Sequence, residues 1–203
     1  ERGSFALEER SFITMDVQRT TDSLRGQFLI ATPVIESGFF KSTVTYICEH
    51  GEAGAMGIVI NKPLDLQLAD IFEHLNIQPL LSHDEVAVLA GGPVKVDRGF
   101  VLHSPGVIYD ATLKVNDEVW LTTSKDVLVD IASGTGPDQH IVTLGYAGWS
   151  AGPLEQEIAE NSWLTTPASR DVLFNTRVTE KFTAAGKLLV IDIPLLTQQA
   201  GHS

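Results

Sequence analysis

Residues Thr43–Pro63, TVTYICEHGEAGAMGIVINKP, decide the fold. Val44, Tyr46, Cys48 and His50 alternate with Thr43, Thr45, Ile47 and Glu49, which is the period of a strand with two different faces. His50-Gly51-Glu52-Ala53-Gly54 supplies a turn, and Met56–Ile60 is a second strand stopped by Asn61-Lys62-Pro63. The two runs are close enough to pair antiparallel, through a loop longer than the tight two-residue kind.

Upstream, Gln27–Ala31 (QFLIA) is a short buried strand closed by Thr32-Pro33. Phe39 and Phe40 are expected to anchor the connector to the hairpin. Downstream, Leu66, Leu68, Ala69, Ile71, Phe72 and Leu75 recur at helical spacing. They predict a helix over about 65–75 with Asp65 as N-cap. Strands are predicted at Val86–Ala90, Gly99–His103, Val119–Thr122 and His140–Leu144. Helices are predicted from Ser124 to Ser133-Gly134, from Pro153 to Glu160, after Thr166-Pro167, and from Thr179 to Leu189. Trp163-Leu164 is a short extended piece. No regular βαβ unit of about 30 residues recurs, so the pattern is α+β with a largely antiparallel or mixed sheet.

With 203 residues, no repeat and no linker, the chain reads as one domain over 27–203. Residues 1–26 read as a flexible lead-in, with 1–14, ahead of Met15, as upstream residues; 198–203 read as a loose tail. The 14 basic residues stand singly against 26 acidic ones, for a net charge of −12. This opposes binding to nucleic acid or to anionic membranes. One cysteine excludes an intrachain disulfide and suggests a reducing compartment. No apolar run is long enough to span a membrane, and a cytoplasmic location is expected.

Cys48-Glu49-His50 is the most suggestive chemistry. A thiol and an imidazole two positions apart on one strand face, about 7 Å along the backbone, could support nucleophilic chemistry or two metal ligands. Against this, Cys48 shares its face with Val44 and Tyr46, as a buried small apolar residue would. A metal site would need His103 or His140, and no local spacing links them, so no metal or cofactor is assigned. Glu49, Asn61 and Lys62 could bind an anion or a peptide carboxylate, or be a solvated residue and turn chemistry. Glu155, Glu157 and Glu160 read as the wet face of a helix near its positive end. Gly145-Tyr146-Ala147-Gly148-Trp149 has two readings. Tyr146 and Trp149 form an exposed recognition surface, or they plug the sheet end while the glycines turn the chain.

Several blocks taken together resemble the YqgE/AlgH family. They are Gln27–Pro33, Ser42–His50, Gly54–Pro63, Gly91-Gly92-Pro93-Val94, Gly99–His103, and Gly145–Trp149 with Gly152, Leu154 and Glu155. The resemblance covers about 26–202. It implies a bacterial cytoplasmic protein with a bent or bifurcated sheet curled into a pseudo-barrel and flanked by short helices. Some members of that family are described as transcriptional regulators. It supplies no catalytic residue. The sequence therefore points to a non-enzymatic regulatory or protein-interaction module. Its candidate patch is Cys48, Glu49, His50, Asn61, Lys62, His103, Tyr146 and Trp149, and a protein partner is expected. The alternatives are a small-molecule-binding protein or thiol-dependent enzyme at the hairpin, and a direct DNA binder.

Overall fold

A computed structural model describes residues 23–83 and 85–189. Most of the lead-in and the whole tail lie outside the described residues. The strands are β1 (Gln27–Ala31), β2 (Val44–Gly51), β3 (Gly54–Val59), β4 (Pro63–Gln67), β5 (Ala87–Ala90), β6 (Val94–His103), β7 (Thr112–Lys114), β8 (Trp120–Thr122), β9 (His140–Ser150) and β10 (Trp163–Pro167). The helices are α1 (Leu68–His74), α2 (Asp126–Ser133), α3 (Pro153–Ala159) and α4 (Arg170–Phe174). A 3-10 turn, Val178–Glu180, leads into helical residues 181–189. No helix of the described residues is long and apolar enough to cross a membrane.

The main sheet runs β10-β1-β2-β3-β9-β6-β8-β7 and curls into a half-barrel. All its pairings are antiparallel. The one parallel pairing among the described strands is β5 with β9. The split lies on β9. Its residues 143–144 pair with β5, and its residues 147–150 pair with β3. At the fork, Gly92 lies so close to β9 that a Cβ there would sit 1.9 Å from the Tyr146 carbonyl carbon. Gly145, at φ +79°, would place its own Cβ 2.4 Å from the Gly92 oxygen. Only glycine permits this crossing. The Gly-Gly-Pro and Gly-Tyr-Ala-Gly-Trp stretches are thus two sides of one junction. The second is not a turn after a strand but the far half of an 11-residue strand.

Three packed regions hold the layers. The main core joins Phe28, Tyr46, Cys48, Ile58, Leu102 and Leu173. A second lies under α1 and α2, with Phe72, Val101, Ile131 and Val142. A third joins Leu29, Ile47, Leu154 and Trp163 under α3.

Other expectations need correction. The predicted helix over 65–75 begins as β4, and the N-cap is Gln67, whose N–H donates to Asp70 at 2.8 Å. Leu64, Leu66 and Leu68 already alternate at the strand period. The hairpin turn is tight, because Gly51 pairs with Gly54 across only Glu52-Ala53. Ser124 does not cap α2; Lys125 occupies that position, and the Ser124 hydroxyl donates to Asp126 at 2.5 Å. Thr166-Pro167 ends β10, and Ser169 caps α4 by accepting from the Val172 N–H at 3.3 Å. Residues 23–26 are anchored: Leu24 packs against the α3-side core, and the Arg25 guanidinium donates to the Lys114 and Val115 carbonyls.

Candidate functional site

The β2–β3 ladder contains a bulge. Ile47 faces Gly57, and Glu49 faces Met56, so Cys48 is the extra residue. A bulge resets the alternation of its strand. Cys48 stays with Val44 and Tyr46 in the main core, fully buried. Glu49 pairs with Met56, which packs against that same core, so the two share its face. His50 pairs with Ala55, which packs on the α3 side. Cys48 and His50 therefore lie on opposite faces of the sheet, contrary to the simple alternation, and Glu49 moves to the face of Cys48.

Burial pushes the Cys48 thiol well above the usual range, and the Glu49 charge adds to this. Among the described residues its only hydrogen-bond partner is the Tyr46 carbonyl at 3.9 Å. A thiol held neutral in apolar surroundings is a poor nucleophile. His50 is fully engaged. The Leu24 N–H donates to Nδ1 at 2.9 Å, so Nε2 carries the proton and donates to Glu155 at 2.7 Å. This bond holds the Glu155 carboxyl below its ordinary value. Trp149 Nε1–H donates to Glu157 at 2.8 Å. Both α3 carboxylates, Glu155 and Glu157, thus fasten the helix to the sheet rather than form a wet face.

Asn61 accepts from the Val44 N–H and donates to the Ser42 carbonyl, both at 2.9 Å. Lys62 Nζ donates to the Phe39 carbonyl at 2.9 Å and sits 3.8 Å from the centre of the Phe39 ring. These bonds pin the connector between β1 and β2. Tyr146 packs toward the main core, its ring 5.5 Å from Phe100, whereas Trp149 packs on the α3 side. Lying on opposite faces, they do not form a common recognition surface.

His103 is buried at the end of β6, directly across from His140 on β9. Its ring nitrogens lie 2.9 Å from the Ser104 carbonyl and 2.7 Å from the Thr122 hydroxyl. Desolvation lowers the pKa of both histidines. The ring neighbours of His103 are Tyr109 and Trp120. Neither the hydrogen bonds nor the ring contacts of Cys48, His50 and His103 link any two of them, so the sequence-based trio has no common centre. Among the described residues no group of three or more His, Cys, Asp or Glu could hold a metal ion.

The bulge does build one open surface. Met56, Phe100, Leu113 and Leu121 floor a shallow concavity of about 400 Å³ on the main-core face. Glu49 and Asp110 stand on its rim. Neither carboxylate has a hydrogen bond or ion pair among the described residues. Sequence reasoning reached Glu49 but not Asp110, Met56 or Phe100. The elements meet only because β3 and β6 both pair with β9, a long-range arrangement that no local pattern encodes.

Comparison with known proteins agrees with this architecture. An AlgH-like family profile matches residues 28–194. A UPF0301 protein from Thioalkalivibrio sulfidiphilus is 49% identical, covering 90% of this chain and 98% of the relative. One from Saccharophagus degradans is 48% identical, covering 89% of each. The solution structure of the AlgH protein from Pseudomonas aeruginosa matches with a TM-score of 0.75 at 46% identity, over 90% of this chain and 97% of that one. A crystal structure of a Corynebacterium diphtheriae protein shares the fold at 21% identity and a TM-score of 0.61, over 74% and 78%. The forked half-barrel and the signature blocks that build its fork and hairpin are those of the AlgH-like UPF0301 proteins, the bacterial family to which this chain belongs.

Proposed function

We propose that the protein is a non-enzymatic regulatory module that acts in the cytoplasm through contact with another protein. The observation that carries this reading is the concavity floored by Met56, Phe100, Leu113 and Leu121. It leaves Met56 and Leu113 partly uncovered beside Glu49 and Asp110, whose carboxylates have no hydrogen bond or ion pair among the described residues. The flexible thioether of Met56 makes an adaptable contact. The two rim charges favour a partner segment that carries Lys or Arg next to an apolar side chain. Burial of the lone thiol speaks against a thiol-dependent enzyme, and the net charge of −12 against direct DNA binding.

The test is cross-linked capture from lysate of the source bacterium, comparing wild type with Met56→Glu and Glu49→Lys. A protein retained by wild type and lost from both variants supports the reading. Recovery of no protein, or of the same proteins by all three baits, defeats it.

A further inference from the structure

A second, more enclosed cavity lies on the other side of the sheet, and it contains no residue of the sequence-based patch. It is about 220 Å³ in volume and lies between the end of α1, the start of α2, and β6 and β9. Ile71, Leu75, Val101, Leu128, Val142 and Leu144 give it an apolar part. An apolar cavity of about 150 Å³ takes up a benzene ring, so this one accommodates a branched aliphatic or phenyl side chain. Gly99 lines it, and a Cβ built there meets nothing within 4 Å. The space beside β6 is therefore open because residue 99 has no side chain.

His74, Thr122, Thr123 and Ser124 add polar groups to the lining, and Asp97 and Lys125 bring charges of opposite sign from different elements. Lys125, at the start of α2, donates to the Leu75 carbonyl at 3.0 Å and keeps two further ammonium protons. Asp97, on β6, is exposed and has no hydrogen bond or ion pair among the described residues. No ion pair joins Asp97 to Lys125. A phosphate does not suit the site, because the Asp126 carboxylate already accepts from the Val127 N–H at 3.0 Å and from Ser124. A small molecule with an apolar body, a carboxylate and an ammonium does suit it.

We propose that this cavity binds an apolar α-amino acid, its side chain among Val101, Leu128 and Val142, its ammonium on Asp97 and its carboxylate on Lys125. The site is separate from the concavity at Glu49, so either can fail without the other.

The test is a methyl and amide NMR titration of the intact chain with L-phenylalanine and L-leucine. Saturable shifts are expected at Val101, Leu128, Val142 and Leu144. 3-Phenylpropionate, which lacks the ammonium, and phenethylamine, which lacks the carboxylate, each lose one charge-assisted contact and bind about tenfold more weakly. Gly99→Leu fills the space and abolishes the shifts. Asp97→Asn weakens phenylalanine to the level of phenylpropionate, and as an exposed change it carries the test if Gly99→Leu does not fold. Three results would overturn the proposal. One is no saturable shift from either amino acid at concentrations on the order of 10 mM, where a site of about millimolar Kd is well occupied. The others are equal binding of phenylpropionate and phenylalanine, and undiminished binding in folded Gly99→Leu.

Discussion

The β2–β3 hairpin and the α1–α2 face stand in opposite relation to their own chemistry. The hairpin holds the residues that suggest a reaction, and nearly all are engaged. Cys48 is in the core, His50 is bonded through both ring nitrogens, and Asn61 and Lys62 fasten backbone carbonyls. The α1–α2 face holds plainer residues, yet it encloses space and leaves Asp97 without a hydrogen bond or ion pair among the described residues. Reactive residue types attract attention in a sequence. Availability depends on which partners the fold has already assigned.

Substitutions can break or sharpen that contrast. The largest effect is expected at Cys48→Asp, which places a carboxylate in the main core. Unfolding measurements should show a loss of several kcal/mol or no folded protein. Rapid labelling of the native Cys48 thiol at pH 7 would break the contrast at its centre, since the buried thiol should react only on unfolding.

Lys181 tests the converse case, a group that is buried yet not engaged. It is 3% exposed, has no hydrogen bond or ion pair among the described residues, and desolvation pushes its pKa down to about 8. In the unfolded chain it titrates at the ordinary value near 10.5. Below pH 8 the ammonium is charged in both states and the folded state bears its desolvation. Lys181→Met should therefore raise stability at pH 7 by on the order of 2 kcal/mol. That gain should shrink as pH rises from 8 toward 10.5, as the folded wild type sheds the proton. Denaturant titrations at pH 7 and 10 check both statements.

Asn61→Ala removes an acceptor from Val44 and a donor from Ser42 together, and should cost about 2 kcal/mol by urea unfolding. Acid should act more gently through His103 and His140. Their folded values lie below the ordinary 6.5, so the unfolded chain binds protons first. The stability they contribute is present above pH 6.5 and is lost as pH falls through the folded values. His103→Gln should reduce the slope of stability against pH in that window. The smallest effect is expected at Asp97→Asn, within about 0.5 kcal/mol of wild type in stability, while amino-acid binding weakens.

Much of the fold was legible because it is written in local period. QFLIA is β1 to the residue, β2 and β3 pair antiparallel as a hairpin, and α2 ends at Ser133-Gly134. What was not legible is non-local. An extra residue at Cys48 leaves the letters alternating and changes only the partner strand's count, so the faces of Glu49 and His50 were assigned in reverse. The three-residue β7 has too few positions to show a period. The continuation of β9 through two glycines and a tyrosine makes sense only beside Gly92. The same holds for the sites. Glu155 and His50 are 105 positions apart, and Asp97 shares a cavity with Lys125 only after β6 and α2 have packed.

The fork on β9 also sets a timetable. Strands β3, β5 and β6 all pair with residues 140–150, and β1 gains its outer neighbour only from β10. A chain emerging from the ribosome carries eight of the described strands, β1 to β8, before the one that joins them exists. Such high sequence separation slows folding and prolongs the exposure of unpaired edges. Gly145 then has to accept Gly92 in a crossing with no room for a methyl group. The junction that unites the two branches of the sheet is thus also the step for which the nascent chain must wait.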